Sequence, residues 1–214
     1  MSIRAPVLRP VGMTKITSHL AVSVDGFVAG PDQSEDSPLG VGGLQLHEWH
    51  LPGREHHPAD AEAAKGILEN NGAYVMGRNM FGPIRGEWSG DWQGWWGPEP
   101  PYRAPVFVLT HHAREPLEME GGTTFHFVTE GLDAALERAR EAAGPDANVS
   151  IAGGASTVNQ ALAAGVLDEL TLHVVPVVLG AGERLFDGVG DLRMEVVGTT
   201  SSPGAAHVRY RRVA

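Results

Sequence analysis

Two hydrophobic spacings alternate along this chain, and their order predicts its architecture. Lys15 to Val24 alternates around Ile16, His19, Ala21 and Val24, which predicts a strand, and Asp25-Gly26 then predicts a turn. Pro31 to Gly43 is rich in Gly, Pro, Asp and Ser and reads as a loop. Pro58 to Asn70 sets Ala61, Ala64, Ile67 and Leu68 on one helical face, with Asn70-Asn71-Gly72 as its stop. Ala73 to Met76 and Val106 to Leu109 are continuous apolar runs, the form of strands covered on both faces, and Thr124 to Val128 is a further strand. Leu132, Ala135, Leu136 and Ala139 then mark a helix that ends near Gly144.

Val149 to Ala152 is an apolar strand that passes through Gly153-Gly154 directly into a second strong helix, with Ala155, Val158, Ala161 and Leu162 on one face and Gly165 at C′. Asp168 to Leu179 predicts a long strand broken by Gly180-Ala181-Gly182. Met194 to Thr199 and Val208 to Arg212, separated by Ser201 to Gly204, predict an antiparallel pair. Strands alternating with helices and ending in strands imply one α/β domain, with a mainly parallel central sheet flanked by helices and an antiparallel C-terminal edge. Gly82 to Pro105 shows no periodicity and holds four tryptophans, so it reads as a long loop of functional size.

Composition narrows the function. A net charge of −10 argues against nucleic acid, and the one dense basic cluster, Arg209, Arg211 and Arg212, is explained by alternation along a strand. No apolar run approaches the roughly 20 residues of a membrane span, so a soluble protein is expected. The chain has 0 cysteines, which removes disulfides, thiolate catalysis and thiolate zinc sites and makes the cytoplasm the default location. Residues 1–12 lack a continuous apolar region and read as a flexible N-terminal extension to a domain spanning 13–214, with Met13 a candidate start. The adjacent pairs His56-His57 and His111-His112 point differently on regular structure, and His47 with His50 lacks a demonstrable third ligand, so no metal is expected.

Glycines between a strand and a helix let a ligand approach the backbone, and the unpaired N–H groups and dipole of the first helical turn attract an anion. Met76-Gly77-Arg78, Leu109-Thr110-His111 and Ile151 to Gly154 each fall at the carboxyl end of a predicted strand, where open α/β sheets bind ligands. Together with Leu20 to Ala29, and with Gly165 to Leu170, Val175 to Gly182 and Leu185-Phe186 in order, this set resembles the dihydrofolate reductase-like superfamily. The branch it resembles is the one related to the riboflavin biosynthesis reductase (RibD C-terminal) domain.

The resemblance implies a dihydrofolate reductase-like fold, an NADPH cofactor and a homodimer paired through the C-terminal part of the sheet. It implies that Arg78, after Gly77, pairs with the ribose 2′-phosphate, that Thr110 and His111 border the adenosine, and that Gly153, Gly154, Ala155, Ser156 and Thr157 cradle the pyrophosphate. Ala21 and Val28 match positions that hold the nicotinamide carboxamide through the backbone. The substrate half departs from the pattern: Phe27 stands where the riboflavin-pathway reductases usually carry lysine, and Ala152 where they usually carry glutamate. The expected activity is therefore hydride transfer from NADPH to a small pterin-like or pyrimidine-like heterocycle, with Asp25 and Glu48 as the candidate proton sources. A nucleotide-binding protein without catalysis and a flavin-dependent protein on the same scaffold are the alternatives. Trp88 to Trp96 is read as an aromatic surface for substrate, as a dimer contact or as a loop anchored by burying its rings.

Overall fold

A computed structural model of the chain describes residues 14–213 apart from Arg54 and Ile84, so the extension expected over 1–12 lies outside the described residues. In chain order the elements are β1 (Ile16–Ser23), β2 (Phe27–Ala29), α1 (Pro58–Leu68), β3 (Asn71–Gly77), α2 (Arg78–Phe81), β4 (Pro105–Leu109), β5 (Leu117–Glu118) and β6 (Thr124–Val128). There follow α3 (Leu132–Ala143), β7 (Asn148–Gly153), α4 (Ala155–Ala163), β8 (Glu169–Val175), β9 (Glu183–Arg184), β10 (Met194–Ser201) and β11 (Ala206–Arg212). A 3₁₀ turn over Gly43–His47 interrupts the loop before α1.

Nine strands form one sheet in the order β10-β11-β8-β1-β7-β3-β4-β6-β5. The six from β8 to β6 run parallel, and β11, β10 and β5 are antiparallel edges, which is the architecture the spacing predicts. Alternation along each strand sorts side chains to two faces. Ala73, Val75, Phe107 and Ile151 join one buried cluster with the apolar stripes of α3 (Ala135, Leu136, Ala139) and α4 (Ala155, Val158, Ala161, Leu162). Tyr74, Met76, Val106, Val108 and Phe125 form a cluster of their own, while Ala21, Leu46, Trp49, Val175 and Ala205 form a third, against which α1 packs Ala63, Ala64 and Ile67.

The strand expected over Asp168 to Leu179 ends at Val175, because Pro176 has no N–H to continue the ladder. The short pair β2 and β9 carries no readable period, being 3 and 2 residues long. Around it the backbone meshes without side chains between. A Cβ on Gly30 would fall 2.0 Å from the Val41 oxygen, one on Gly40 2.2 Å from the Gly30 oxygen, and one on Gly182 2.0 Å from the Ala29 oxygen.

Candidate functional site

Parallel register aligns the strand ends: Ser18 lies opposite Ile151, Met76 opposite Gly153, and Gly77 opposite Leu109. The expected cofactor residues thus converge along one carboxyl edge. A Cβ on Gly77 would lie 2.7 Å from Thr157 Oγ1 and 3.7 Å from the Gly154 nitrogen, so this glycine lets β3 touch the start of α4. Gly154 itself faces open space, with nothing within 4 Å of where its Cβ would stand. The Gly153–Gly154 peptide is cis, and Gly153 has φ +140°, a backbone conformation suited to glycine.

At the α4 N-terminus, Thr157 and Val158 donate their N–H groups to the Gly154 carbonyl. No acidic side chain occupies the first turn and no side chain caps it, so the dipole of this 9-residue helix is left for an anion. Ser156 is exposed there and Thr157 buried. Replacing Gly77 by alanine is expected to swing the Thr157 hydroxyl away, weakening several-fold the binding of any phosphate-bearing ligand held at this junction while the melting temperature changes little. Paired calorimetric titration and thermal unfolding measure both.

Arg78 opens α2 beside this junction and donates from Nη1 to Thr110 Oγ1 at 3.2 Å. Its guanidinium stacks on Trp88, 3.7 Å from the ring centroid, while Nε and Nη2 are shielded from solvent and have no hydrogen-bond partner. Burial, then the like charges of Arg85 and Arg114, disfavour its protonated form, and Glu87 opposes them. Guanidinium stays charged in proteins, so this is a site with surplus positive charge and unused donors. Arg114 reaches the same wall, 5.1 Å from the Trp88 centroid. His111 is exposed in the turn after β4, and its neighbour His112 pairs with Glu87 at 3.0 Å.

The tryptophan loop is anchored on this side of the sheet. Trp88 Nε1 donates to the His112 carbonyl at 2.7 Å, Trp92 Nε1 donates to the Phe81 carbonyl at 3.0 Å, and Trp96 packs on Tyr102 and Phe125. Trp88, Trp92 and Trp96 pack against the cluster built on Tyr74, Met76 and Phe125. These contacts fit the reading of the segment as an anchored loop.

Toward the β8 end of the same edge lies a cleft of about 390 Å³, lined by Gln45, Glu48, Trp49, Glu55, His56, His57, Asp60, Val175 to Val177 and Gly204. Ala21 packs behind it against Trp49 and Val175, and Val28 is buried in β2. Glu48 is exposed in the lining. Asp25 is absent from that lining and does different work. Its carboxylate accepts from Ser23 Oγ at 2.6 Å and from the Leu179 and Gly180 N–H groups at 3.1 and 2.7 Å. The Ser23 hydroxyl first, then those amides, hold its pKa down to about 2, so Asp25 braces the β1–β2 turn against the segment after β8 and is a poor proton source near neutrality. This corrects the expectation of Asp25 as an acid.

The carboxylate that sequence reasoning missed is Asp60. It sits in the first turn of α1, which Pro58 opens and the His57 ring caps by accepting from the Ala59 N–H at 3.2 Å. It is buried, with Oδ1 2.9 Å from His207 Nε2 and Oδ2 beside Gly204 in the cleft wall. His207 in β11 stands opposite His173 in β8, their Nδ1 atoms 2.9 Å apart, and the Trp49 ring covers both. Pairing of an acid in a helical first turn with histidines from distant strands leaves no local spacing to read. Among the described residues no three His, Asp or Glu side chains are grouped to hold a metal ion.

Residues 14–208 match the family model described as the RibD C-terminal domain. The uncharacterized protein YwjB of Bacillus subtilis (strain 168) is 34% identical over 199 residues, covering 92% of this chain and 98% of that protein. Solved structures with the same fold include a protein of Shewanella sp. PV-4 described as a riboflavin biosynthesis protein (TM-score 0.61, 22% identity, 94% of this chain and 100% of that one). A pyrimidine reductase-like protein of Corynebacterium diphtheriae has TM-score 0.57 at 15% identity, over 95% of this chain and 94% of that one. Dihydrofolate reductase from Enterococcus faecalis, complexed with NADP(H) and RAB-propyl, has TM-score 0.54 at 18% identity, over 94% and 97%.

Proposed function

The chain belongs to the RibD C-terminal domain family, and from that membership we propose that it is an NADPH-dependent reductase of a small nitrogen heterocycle. The observation that carries the reading is the convergence of Gly77, Gly154 and Thr157 at the uncapped start of α4, with the cationic Arg78 following Gly77 along the chain. In this reading Gly77, Gly153, Gly154, Ala155, Ser156 and Thr157 receive the pyrophosphate. Arg78, Thr110 and His111 receive the 2′-phosphate, and the backbone at Ala21 and Val28 holds the nicotinamide end. A reduced nicotinamide bound there supplies hydride.

The protein's own contribution is to orient the substrate and to manage one proton. A cleft of about 390 Å³ suits a one- or two-ring molecule. Its described lining holds Glu48, Glu55 and Asp60 and neither lysine nor arginine, so it favours a ring rich in N–H donors over a phosphate ester. Trp49 offers a flat wall, and Asp60 takes the role of acid, with Glu48 at the margin of the cleft.

The test is fluorescence titration with NADPH and NADH, followed by NADPH oxidation with a panel of pterins, aminopyrimidines and quinones. Preference for NADPH, with oxidation by a member of the heterocyclic set, is the expected result. Binding without oxidation by any member would make the chain a nucleotide-binding protein without catalysis. A yellow flavin-loaded protein would favour the flavin alternative, and no NADPH binding at millimolar cofactor would overturn the reading.

A further inference from the structure

Of the two oxygens of Asp60, one is committed and one is not. Oδ1 lies 2.9 Å from His207 Nε2, while no donor among the described residues bonds Oδ2, which stands beside Gly204 in the cleft wall. A carboxylate turns easily about its last bond, so fixing one oxygen is what gives the other a fixed place. Hydrogen-bond logic then reaches further into the sheet. Oδ1 of a carboxylate accepts only from a His207 Nε2 that carries hydrogen, so in a neutral His207 ring Nδ1 is a bare acceptor. His173 Nδ1, 2.9 Å away, then donates to it.

We propose that His207 is a positioning residue of the cleft: its Nε2–H holds Asp60 with Oδ2 toward the ligand, and His173 holds His207 in the tautomer that can do so. The meeting of Oδ2 with a ring nitrogen of the heterocycle rests on the reductase reading; the holding of Asp60 does not. Each hydrogen stays on its own nitrogen throughout.

The surroundings suit this role. β8 and β11 pair antiparallel with His173 directly opposite His207, so both rings leave the same face of a ladder that fixes their spacing. Trp49 covers both, 4.5 Å from His173 and 5.0 Å from His207 between ring centroids, and is itself fixed by donating Nε1 to the Leu46 carbonyl at 3.0 Å. Burial first, then the imidazoles of His19, His207, His50 and His47, lowers the pKa of His173 to about 2, so it enters the pair as a neutral ring with one hydrogen to place. Its Nε2 is then a lone pair sealed from solvent without a partner, an unfavourable burial that the hydrogen on Nδ1 imposes. Asp60 thus takes its orientation from two paired strands, and supports of that kind hold a site more closely than loops do.

The experiment begins with ring ¹⁵N spectra of the full chain at neutral pH without ligand. The expected result is hydrogen on Nε2 of His207 and on Nδ1 of His173. Hydrogen on Nδ1 alone at His207, or on Nε2 alone at His173, would overturn the proposal.

Two variants then separate holding from packing. The amide of His207→Asn ends where ring Nδ1 stands, so it keeps a partner for His173 but cannot reach Asp60, whereas that of His207→Gln reaches the place of Nε2 and can donate to Oδ1. Crystal structures are expected to show Oδ2 in place in the glutamine variant and turned away in the asparagine variant. An unmoved Asp60 in His207→Asn would overturn the proposal whether or not the protein is a reductase. With whichever panel compound supports NADPH oxidation, kcat/KM is expected to fall about tenfold in His207→Asn and to stay within about threefold in His207→Gln, with NADPH affinity unchanged in both. Equal losses in the two variants, or a matching loss of NADPH affinity, would reduce His207 to packing. If no compound is reduced, the reductase reading fails while the spectra and the place of Asp60 still decide the positioning. If His207→Asn does not fold, His173→Leu takes its place, expected to leave Asp60 in two orientations; a single one there counts against the proposal.

Discussion

Arg78→Ala is expected to weaken NADPH binding roughly 10- to 100-fold while changing NADH binding only about twofold. Charge-assisted hydrogen bonds are worth about 1.5–3 kcal/mol each, and tenfold in affinity corresponds to about 1.4 kcal/mol. The Arg78 guanidinium is the cation that a 2′-phosphate would meet, and NADH has no group to meet it. Arg78→Lys should fall between, since an ammonium keeps the charge without the planar fork that sits over the Trp88 ring. Parallel titrations with the two cofactors read the effect. Equal losses for both would show that Arg78 supports the fold around Thr110 and does not read the phosphate.

Acid is expected to unfold this protein well above the range in which carboxylates titrate. Burial is the first cause that lowers His19 and His47 to a pKa of about 4 and His173 to about 2, from an ordinary 6.5. Above pH 6.5 these imidazoles are neutral in both folded and unfolded chains and contribute no pH dependence. Below it the unfolded chain takes up protons that the folded chain refuses, so stability is lost as pH falls from 6.5 toward the folded pKa values. Three such groups give a slope of about 4 kcal/mol per pH unit, and on the order of 6 kcal/mol is lost by pH 5. That is a large part of the roughly 5–15 kcal/mol that holds a typical domain together. Urea unfolding at pH 7.5, 6 and 5 measures it, with His47→Gln expected to remove about a third of the slope. Stability that stays flat between pH 7 and 5 would sink the prediction.

The elements with a strong period were legible in the sequence, because each buries one face against a partner that enforces the same period. The stripe of Ala155, Val158, Ala161 and Leu162 forms α4, and the two-sided runs Ala73 to Met76 and Val106 to Leu109 lie where both faces of the sheet are covered. The carboxyl edge of the sheet, with its glycines and Arg78, was legible for a related reason. Glycine and arginine at strand ends announce their chemistry locally, and parallel register then brings the ends together.

The histidine cluster packed against Trp49 was not legible. His19, His173 and His207 look like ordinary alternating positions, and only the order β11-β8-β1 sets them side by side. Asp60 reads as a helix-start acid until β11 brings His207 to it. The adjacent pairs such as His111-His112 drew notice by proximity in sequence, whereas the hydrogen-bonded pair His173 and His207 is 34 residues apart. Asp25 misled for the opposite reason: an exposed-looking turn acid is in fact saturated by hydroxyl and amide donors.

The bare-backbone meshing at Gly30, Gly40 and Gly182 sets a rule for recombining this chain with its relatives. A crossover that falls between residues 43 and 179 would join the segment around Gly30 and Gly40 from one parent to the Gly182 segment from another. Any side chain imported at one of these three places would strike a carbonyl oxygen about 2 Å away, on a neighbour whose own path was shaped without it. Hybrids that divide the three segments are therefore expected to fold only where both parents keep glycine at all three places.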